Sequence, residues 1–87
     1  MKIVEIKNIT RKDVPIYYRR LYSGTVVLEL MNKHIESPIE FQIEHKPTGQ
    51  TEIGVNLSES IDYPLVPLHK ELKNFIGALD SAGNLPS

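Results

Sequence analysis

Residues 17–24 of this sequence read YYRRLYSG, which concentrates tyrosine and arginine in one short stretch. Tyrosine rings can stack on the bases of single-stranded nucleic acid, and arginine guanidinium groups can pair with its phosphates. The same two residue types are enriched at the hot spots of protein–protein interfaces. The stretch therefore offers a candidate partner surface, which consists of Tyr17, Tyr18, Arg19, Arg20 and Tyr22.

A purely structural interpretation of this stretch competes with both binding interpretations. In it, the tyrosines cover the edge of a sheet and the boundary of its core, and the arginines pair with glutamates on neighbouring strands. The chain is not basic overall: its net charge is −1 and its isoelectric point is about 6.3, whereas nucleic-acid-binding domains usually exceed about 9. A protein is therefore favoured over nucleic acid as the partner of this surface.

The charges are divided unevenly along the chain. Residues 1–35 contain seven lysines and arginines against three acids, and residues 36–87 contain three lysines against eight acids. The two halves either neutralise each other, within one fold or between copies, or leave a basic face for a polyanion. We favour neutralisation because a compact domain brings its halves together. Between copies, the face that carries Glu40 and Glu44 is the candidate complement of the Tyr/Arg stretch.

Residue types that support catalysis or metal binding do not form a recognisable pattern. His34, His45 and His69 are not spaced four residues apart on a helix, and the chain has no cysteine to complete a zinc site. Glu40 and Glu44 would lie about 13 Å apart on a strand, farther apart than the carboxylate pairs of glycosidases. The serines lack a G-x-S-x-G motif, and no phosphate-binding glycine loop is present. We therefore expect no enzyme activity, no cofactor and no metal.

The composition is that of a small globular domain. Hydrophobic residues make up 40% and charged residues 24% of the 87 residues, close to globular averages. No apolar run approaches the roughly 18 residues of a membrane-spanning helix, and charges interrupt the apolar residues of the N-terminal segment, unlike in a signal peptide. The lack of cysteine fits a reducing compartment. We therefore expect one cytoplasmic domain over residues 1–87, without membrane contact.

Alternating apolar and polar residues predict β-strands in the first two thirds of the chain. The pattern is clearest at 37–46 and at 51–57, and the KPTGQ turn between these runs makes a hairpin. Gly54 leaves the outer face of the second run without a side chain, which indicates a bulge or the close approach of another backbone. Further strands are predicted at 25–32 and, with weaker alternation, at 2–9.

The Tyr/Arg stretch is itself predicted to lie on a strand, over residues 15–22, that ends in a tight turn at Ser23–Gly24. A short helix that ends at Gly24 is the alternative for this segment. In a strand, the side chains divide between two faces: Ile16, Tyr18, Arg20 and Tyr22 on one, and Tyr17, Arg19 and Leu21 on the other.

The last third of the chain changes to helical periodicity. A helix is predicted over about 67–80, with Pro67 at its first position and Gly83 just beyond its end. Gly77 inside it indicates close packing, because glycine otherwise costs a helix about 1 kcal/mol relative to alanine. Five apolar residues form one stripe of this helix: Leu68, Leu72, Phe75, Ile76 and Leu79.

These elements predict an α+β fold, a small antiparallel meander of four or five strands within residues 2–57 packed by one C-terminal amphipathic helix. Residues 58–66 form the connector and residues 81–87 a short tail. The pattern leaves open whether the sheet closes into a sandwich or a barrel. One helix covers one face, so the other face, where Val27 and Met31 are predicted, or an edge is free for association.

We therefore expect a non-catalytic structural or adaptor protein that binds another protein or its own copies. Single-stranded nucleic-acid binding by the Tyr/Arg stretch is the alternative. A small enzyme or ligand carrier is the second alternative, which would require a pocket with a buried ionisable group.

Overall fold

The computed structural model describes residues 1–15 and 17–86, which form four strands and one helix. The strands lie in chain order in one antiparallel sheet, with the first and last strands at its edges. The predicted α+β meander with a C-terminal helix is confirmed, with four strands rather than five. The elements are β1 (Lys2–Lys12), β2 (Arg19–Leu30), β3 (Lys33–His45), β4 (Thr51–Leu57) and α1 (Leu65–Ser81).

Strand β2 runs without interruption through Ser23 and Gly24, so the turn predicted there is wrong. The end of the predicted strand 15–22 and the predicted strand 25–32 belong to one long strand. The alternative of a short helix is also wrong, because Tyr17 and Tyr18 lie in a turn that leads directly into β2. Ile16, predicted to share a face with Tyr18, lies outside the described residues.

Gly24 serves a close approach between strands rather than a turn. A Cβ atom at this position would lie 3.1 Å from the backbone carbonyl oxygen of Lys7 in β1. The pairing of β1 with β2 shifts between Lys7 and Thr10, where Asn8 has a φ of 56°. This irregularity brings the β1 backbone against β2 at a position that only glycine fills without crowding.

Two tight connections join the last three strands. Between β2 and β3, Met31 and Asn32 have φ values of 51° and 63°, which are the positive values that a two-residue type I′ hairpin requires. Met31 is 88% exposed at this tip. Between β3 and β4, the predicted turn is confirmed: the Lys46 amide donates a hydrogen bond to the Gln50 carbonyl at 2.8 Å, and Gly49 has a φ of 89°.

The two faces of the sheet are covered differently. The face toward α1 carries the apolar residues of β2 and β3, while the opposite face, hereafter the outer face, carries charged and polar side chains. Val27 points to the outer face yet is only 8% exposed, so the open apolar surface expected there is not found at this residue. The core consists of Ile6, Tyr22, Val26, Leu28, Ile39, Phe41, Ile43, Leu68, Leu72 and Ile76.

Helix α1 packs on the sheet through the stripe that the sequence predicts, and it contacts both edge strands, β4 and β1. Leu68, Leu72 and Ile76 are fully buried, and Phe75 and Leu79 pack against the core from its margin. The predicted stripe is therefore confirmed. In the part of the chain that the structure describes, no helix is long and apolar enough to cross a membrane.

The ends of α1 follow ordinary capping chemistry. The helix begins at Leu65, two residues earlier than predicted, which places Pro67 in the first turn, where amide groups have no helical partner to lose. At the other end Gly83 has a φ of 72°. Its amide donates to the Asp80 carbonyl at 3.1 Å, and the Asn84 amide donates to the Leu79 carbonyl at 2.9 Å. This is a Schellman motif, so the predicted role of Gly83 is confirmed.

Gly54 and Gly77 do not have the roles that the sequence predicts. Gly54 pairs with Gln42 in a regular register, and a Cβ atom there would lie 3.1 Å from the Gln42 amide nitrogen Nε2. A side chain therefore occupies the space, without a bulge or another backbone. A Cβ atom at Gly77 would lie 3.5 Å from Cδ1 of Ile53, which is an ordinary van der Waals contact rather than a forced close approach.

We expect Gly77→Ala to raise the free energy of unfolding by about 1 kcal/mol, because alanine favours the helix and its methyl group fits the available space. Gly24→Ala is the matched control, and it should lower the free energy of unfolding because its methyl group would crowd the β1 backbone. Urea unfolding followed by circular dichroism measures both changes. A less stable Gly77→Ala variant would mean that α1 and β4 pack more tightly than described.

Candidate functional site

The structure separates the residues of the predicted partner surface. Tyr22 lies in the core, where it is 1% exposed and stacks on Phe41 with ring centroids 5.1 Å apart. It cannot contact a partner while the protein is folded, so its assignment to the surface is wrong. The signal in the sequence is its position in the middle of a long strand, which the mistaken turn at Ser23–Gly24 conceals.

Arg19 lies on the outer face and pairs within its own chain. It stands directly opposite Glu44 in the register of β2 and β3, and its Nη2 atom lies 2.7 Å from Oε1 of that carboxylate. The hydrogen bond to Glu44 raises the pKa of the Arg19 guanidinium group. Glu40 likewise accepts an ion pair from Lys12 at 3.3 Å. Both glutamates of the predicted complementary face are thus engaged by cations of β1 and β2.

The uneven charge division is therefore neutralised inside one fold. Among the described residues, five ion pairs form, and four of them join the basic first part of the chain to the acidic second part. Cross-strand pairing explains why a sequence with such a split keeps an outer face of mixed sign. The four pairs are Lys7–Glu36, Lys12–Glu40, Arg19–Glu44 and Arg20–Asp80.

Arg20 lies on the opposite face from Arg19 and ties three elements together. Its Nη2 donates to Oδ1 of Asp80 in α1 at 3.1 Å, its Nη1 to the Tyr22 hydroxyl at 3.1 Å, and its Nε to His45 Nε2 at 3.2 Å. Burial acts to lower the pKa of Arg20, but the hydrogen bond to Asp80 helps to raise it, and the net shift is upward. Because His45 accepts at Nε2, its ring is neutral in this arrangement.

Tyr17 and Tyr18 form the exposed part of the original stretch. Tyr17 is 97% exposed and Tyr18 is 47% exposed, and their rings meet edge to face with centroids 6.0 Å apart. The Arg19 guanidinium carbon lies 5.9 Å from the centre of the Tyr18 ring, within the range of a cation–π contact. The two rings stand at the end of the sheet where β2 begins.

A hollow of about 610 Å³ opens beside these rings, and it is lined mostly by apolar atoms. The turn after β3 supplies the other wall, and a backbone hydrogen bond from the His45 amide to the Tyr18 carbonyl, 2.8 Å long, joins the two segments. We call this surface the tyrosine end. Its residues are Tyr17, Tyr18, Glu44, His45, Lys46 and Pro47.

The sequence did not predict that His45, Lys46 and Pro47 belong to this surface. They lie more than 25 residues from the tyrosines, and only the β2–β3 register brings them there. Lys46 also pairs with Glu52 at 2.7 Å, and this hydrogen bond lowers the pKa of Glu52. That pair stabilises the fold above the ordinary carboxyl pKa, and its contribution disappears as the pH falls through the lowered pKa of Glu52.

Other features that could support chemistry lie apart from the tyrosine end. A hollow of about 370 Å³ on the outer face is bordered by Lys12, Glu40, Gln42 and Asn56. Within residues 1–15 and 17–86, no group of three histidine, cysteine, aspartate or glutamate side chains is placed to hold a metal ion.

We expect a double-mutant cycle on Arg20→Met and Asp80→Asn to give a coupling free energy of about 1 kcal/mol, because both side chains are mostly shielded from water. Urea unfolding of the parent, the two single variants and the double variant measures it. The more exposed Lys46–Glu52 pair is the control, with no measurable coupling expected. Equal couplings for the two pairs would contradict the role of Arg20 in fastening the end of α1 to the sheet.

Comparison with known proteins places this chain in one family. No curated protein and no solved structure matches this chain. One family model does match, over residues 1–81, a span that contains every described strand and the whole of α1. On this match, the chain belongs to the BB-0187 family.

Proposed function

We propose that this protein is a non-catalytic binding module of the cytoplasm that contacts a protein partner through the tyrosine end. The observation that carries the proposal is Tyr17, which is 97% exposed beside a second tyrosine and a largely apolar hollow. A side chain this exposed gains almost nothing from the core of its own chain. Its ring and the adjoining hollow are therefore available to a partner.

The support beneath the tyrosines suits recognition. Tyrosine brings a large contact area with few rotatable bonds, so its immobilisation on binding costs little conformational entropy. The Tyr18 carbonyl accepts a hydrogen bond from the His45 amide, and Arg19 packs over the Tyr18 ring while it is paired with Glu44. These contacts fix the backbone and one ring before a partner arrives, which reduces the cost of ordering the surface.

The proposal depends on the tyrosines and not on the two glutamates that the sequence offers as their complement. Glu40 and Glu44 already accept ion pairs from Lys12 and Arg19. A partner that drew on these carboxylates would have to replace pairs that exist in the free protein. We therefore leave Glu40 outside the contact surface and treat Glu44 only as part of its rim.

Single-stranded nucleic acid is the second candidate partner, and one observation favours it. Arg11, Lys12 and Arg19 surround a polar hollow of about 270 Å³, together with Asp13 and Val14. The buried Nε of Arg19 has no hydrogen-bond partner among the described residues. Phosphates there would place bases near Tyr18, which Arg19 touches. Tyr22 and Arg20, which the sequence includes in such a surface, are held inside the fold.

A photo-crosslinking experiment tests the proposed function directly. A photoreactive phenylalanine analogue replaces Tyr17 in the full chain, expressed in the cells that naturally contain it, and adducts are identified by mass spectrometry. The same replacement at Met31, which is 88% exposed at the opposite end of the sheet, is the control. We expect a discrete protein adduct from position 17 that is missing from position 31.

Two results would contradict the proposal. One is the same set of adducts from both positions, because this would mean that the tyrosine end has no preferred partner. The other is adducts at position 17 with nucleic acid alone, which would support the second candidate. In that case, binding of a single-stranded oligonucleotide should weaken steeply as salt is raised.

A further inference from the structure

We propose that the partner of the tyrosine end is a second copy of this chain, bound around a two-fold axis so that Tyr17 of each copy enters the hollow of the other. This inference rests on the proposed function, since it names the partner of the same surface. It replaces the pairing of the Tyr/Arg stretch with a glutamate face by a contact of one surface with itself.

The shape of the tyrosine end favours this arrangement. A two-fold interface uses the same patch on both copies, so the patch must be complementary to itself. The tyrosine end has both parts of such a contact: a projecting ring at Tyr17 and, next to it, a hollow of about 610 Å³. That volume lies within the roughly 300–1,000 Å³ range of cavities that accept small organic groups. A phenol ring is of this kind, and Pro47 and Tyr18 offer it apolar walls.

The charges around the hollow are compatible with a copy of the same surface. In a two-fold contact, unpaired charges near the axis would face their own equivalents and repel each other. Glu44 is paired with Arg19, and Lys46 is paired with Glu52. His45 accepts a hydrogen bond from Arg20 and is neutral in that state. The rim therefore approaches its copy as a set of neutralised pairs, and the tyrosines are left to make the contact.

The size of the surface sets the strength that we expect. The molecule measures 41 × 24 × 23 Å, and the tyrosine end is one of its narrow ends. Contact across such an end buries on the order of 400–500 Å² per copy, about half of a standard stable interface. The dimer should therefore be weak, with a dissociation constant of roughly 10 μM to 1 mM.

Sedimentation equilibrium of the full chain between about 10 μM and 2 mM tests the inference. We expect a reversible monomer–dimer equilibrium, weakened at least tenfold by Tyr17→Ala. Met31→Ala, at a residue of similar exposure on the opposite end, is the matched control and should leave the equilibrium unchanged. A parent chain that is monomeric throughout this range, or a dimer that is insensitive to Tyr17→Ala, would overturn the inference.

An isotope-filtered NMR experiment then tests the geometry. In a mixture of labelled and unlabelled chains at millimolar concentration, we expect nuclear Overhauser effects between the Tyr17 ring of one copy and Pro47 of another. A dimer without these contacts would overturn the proposed exchange of tyrosines. The two proposals fail differently: a monomeric chain whose position 17 still crosslinks to another protein contradicts only the second copy as partner, whereas loss of specific crosslinks contradicts the proposed function.

Discussion

The docking of one helix stripe on one face of the sheet is the interaction on which the rest of the structure depends. A meander of four strands has two faces, and without α1 both would meet water. Leu68, Leu72 and Ile76 are completely buried in that interface, and their burial contributes about 5–9 kcal/mol before the entropy of ordering is counted. For an 87-residue chain with a modest core, this is of the same order as the whole net stability of a typical domain.

The position of α1 also decides what is left for binding. Because the helix occupies one face, the long side chains of the outer face must satisfy themselves, which they do through ion pairs between neighbouring strands. Arg20 connects the end of α1 to β2 and also reaches His45, beside the tyrosine end. Packing of the helix thus holds in place the strand ends that present Tyr17 and Tyr18, while those two rings remain outside the core.

The sequence predicts those parts of the fold whose signal is local. The stripe of α1, the Gly83 cap and the hairpin around Gly49 follow from periodicity or turn chemistry within a few residues. The role of Gly24 could not be predicted, because it depends on an irregularity in β1, and a glycine beside a serine resembles a turn. The same error hid the burial of Tyr22 and separated it wrongly from the core. The tyrosine end needed the register of β2 and β3, which no short segment encodes.

The most direct measurement of the central claim compares two substitutions of the same kind on one helix. Leu72 is fully buried against the sheet, whereas Leu65 is 59% exposed in the first turn of α1. If α1 holds the sheet together, Leu72→Ala should lower the free energy of unfolding in urea by about 2–5 kcal/mol, and Leu65→Ala by less than about 1 kcal/mol. Similar small losses for both variants would mean that the sheet stands without its helix, and would contradict the account.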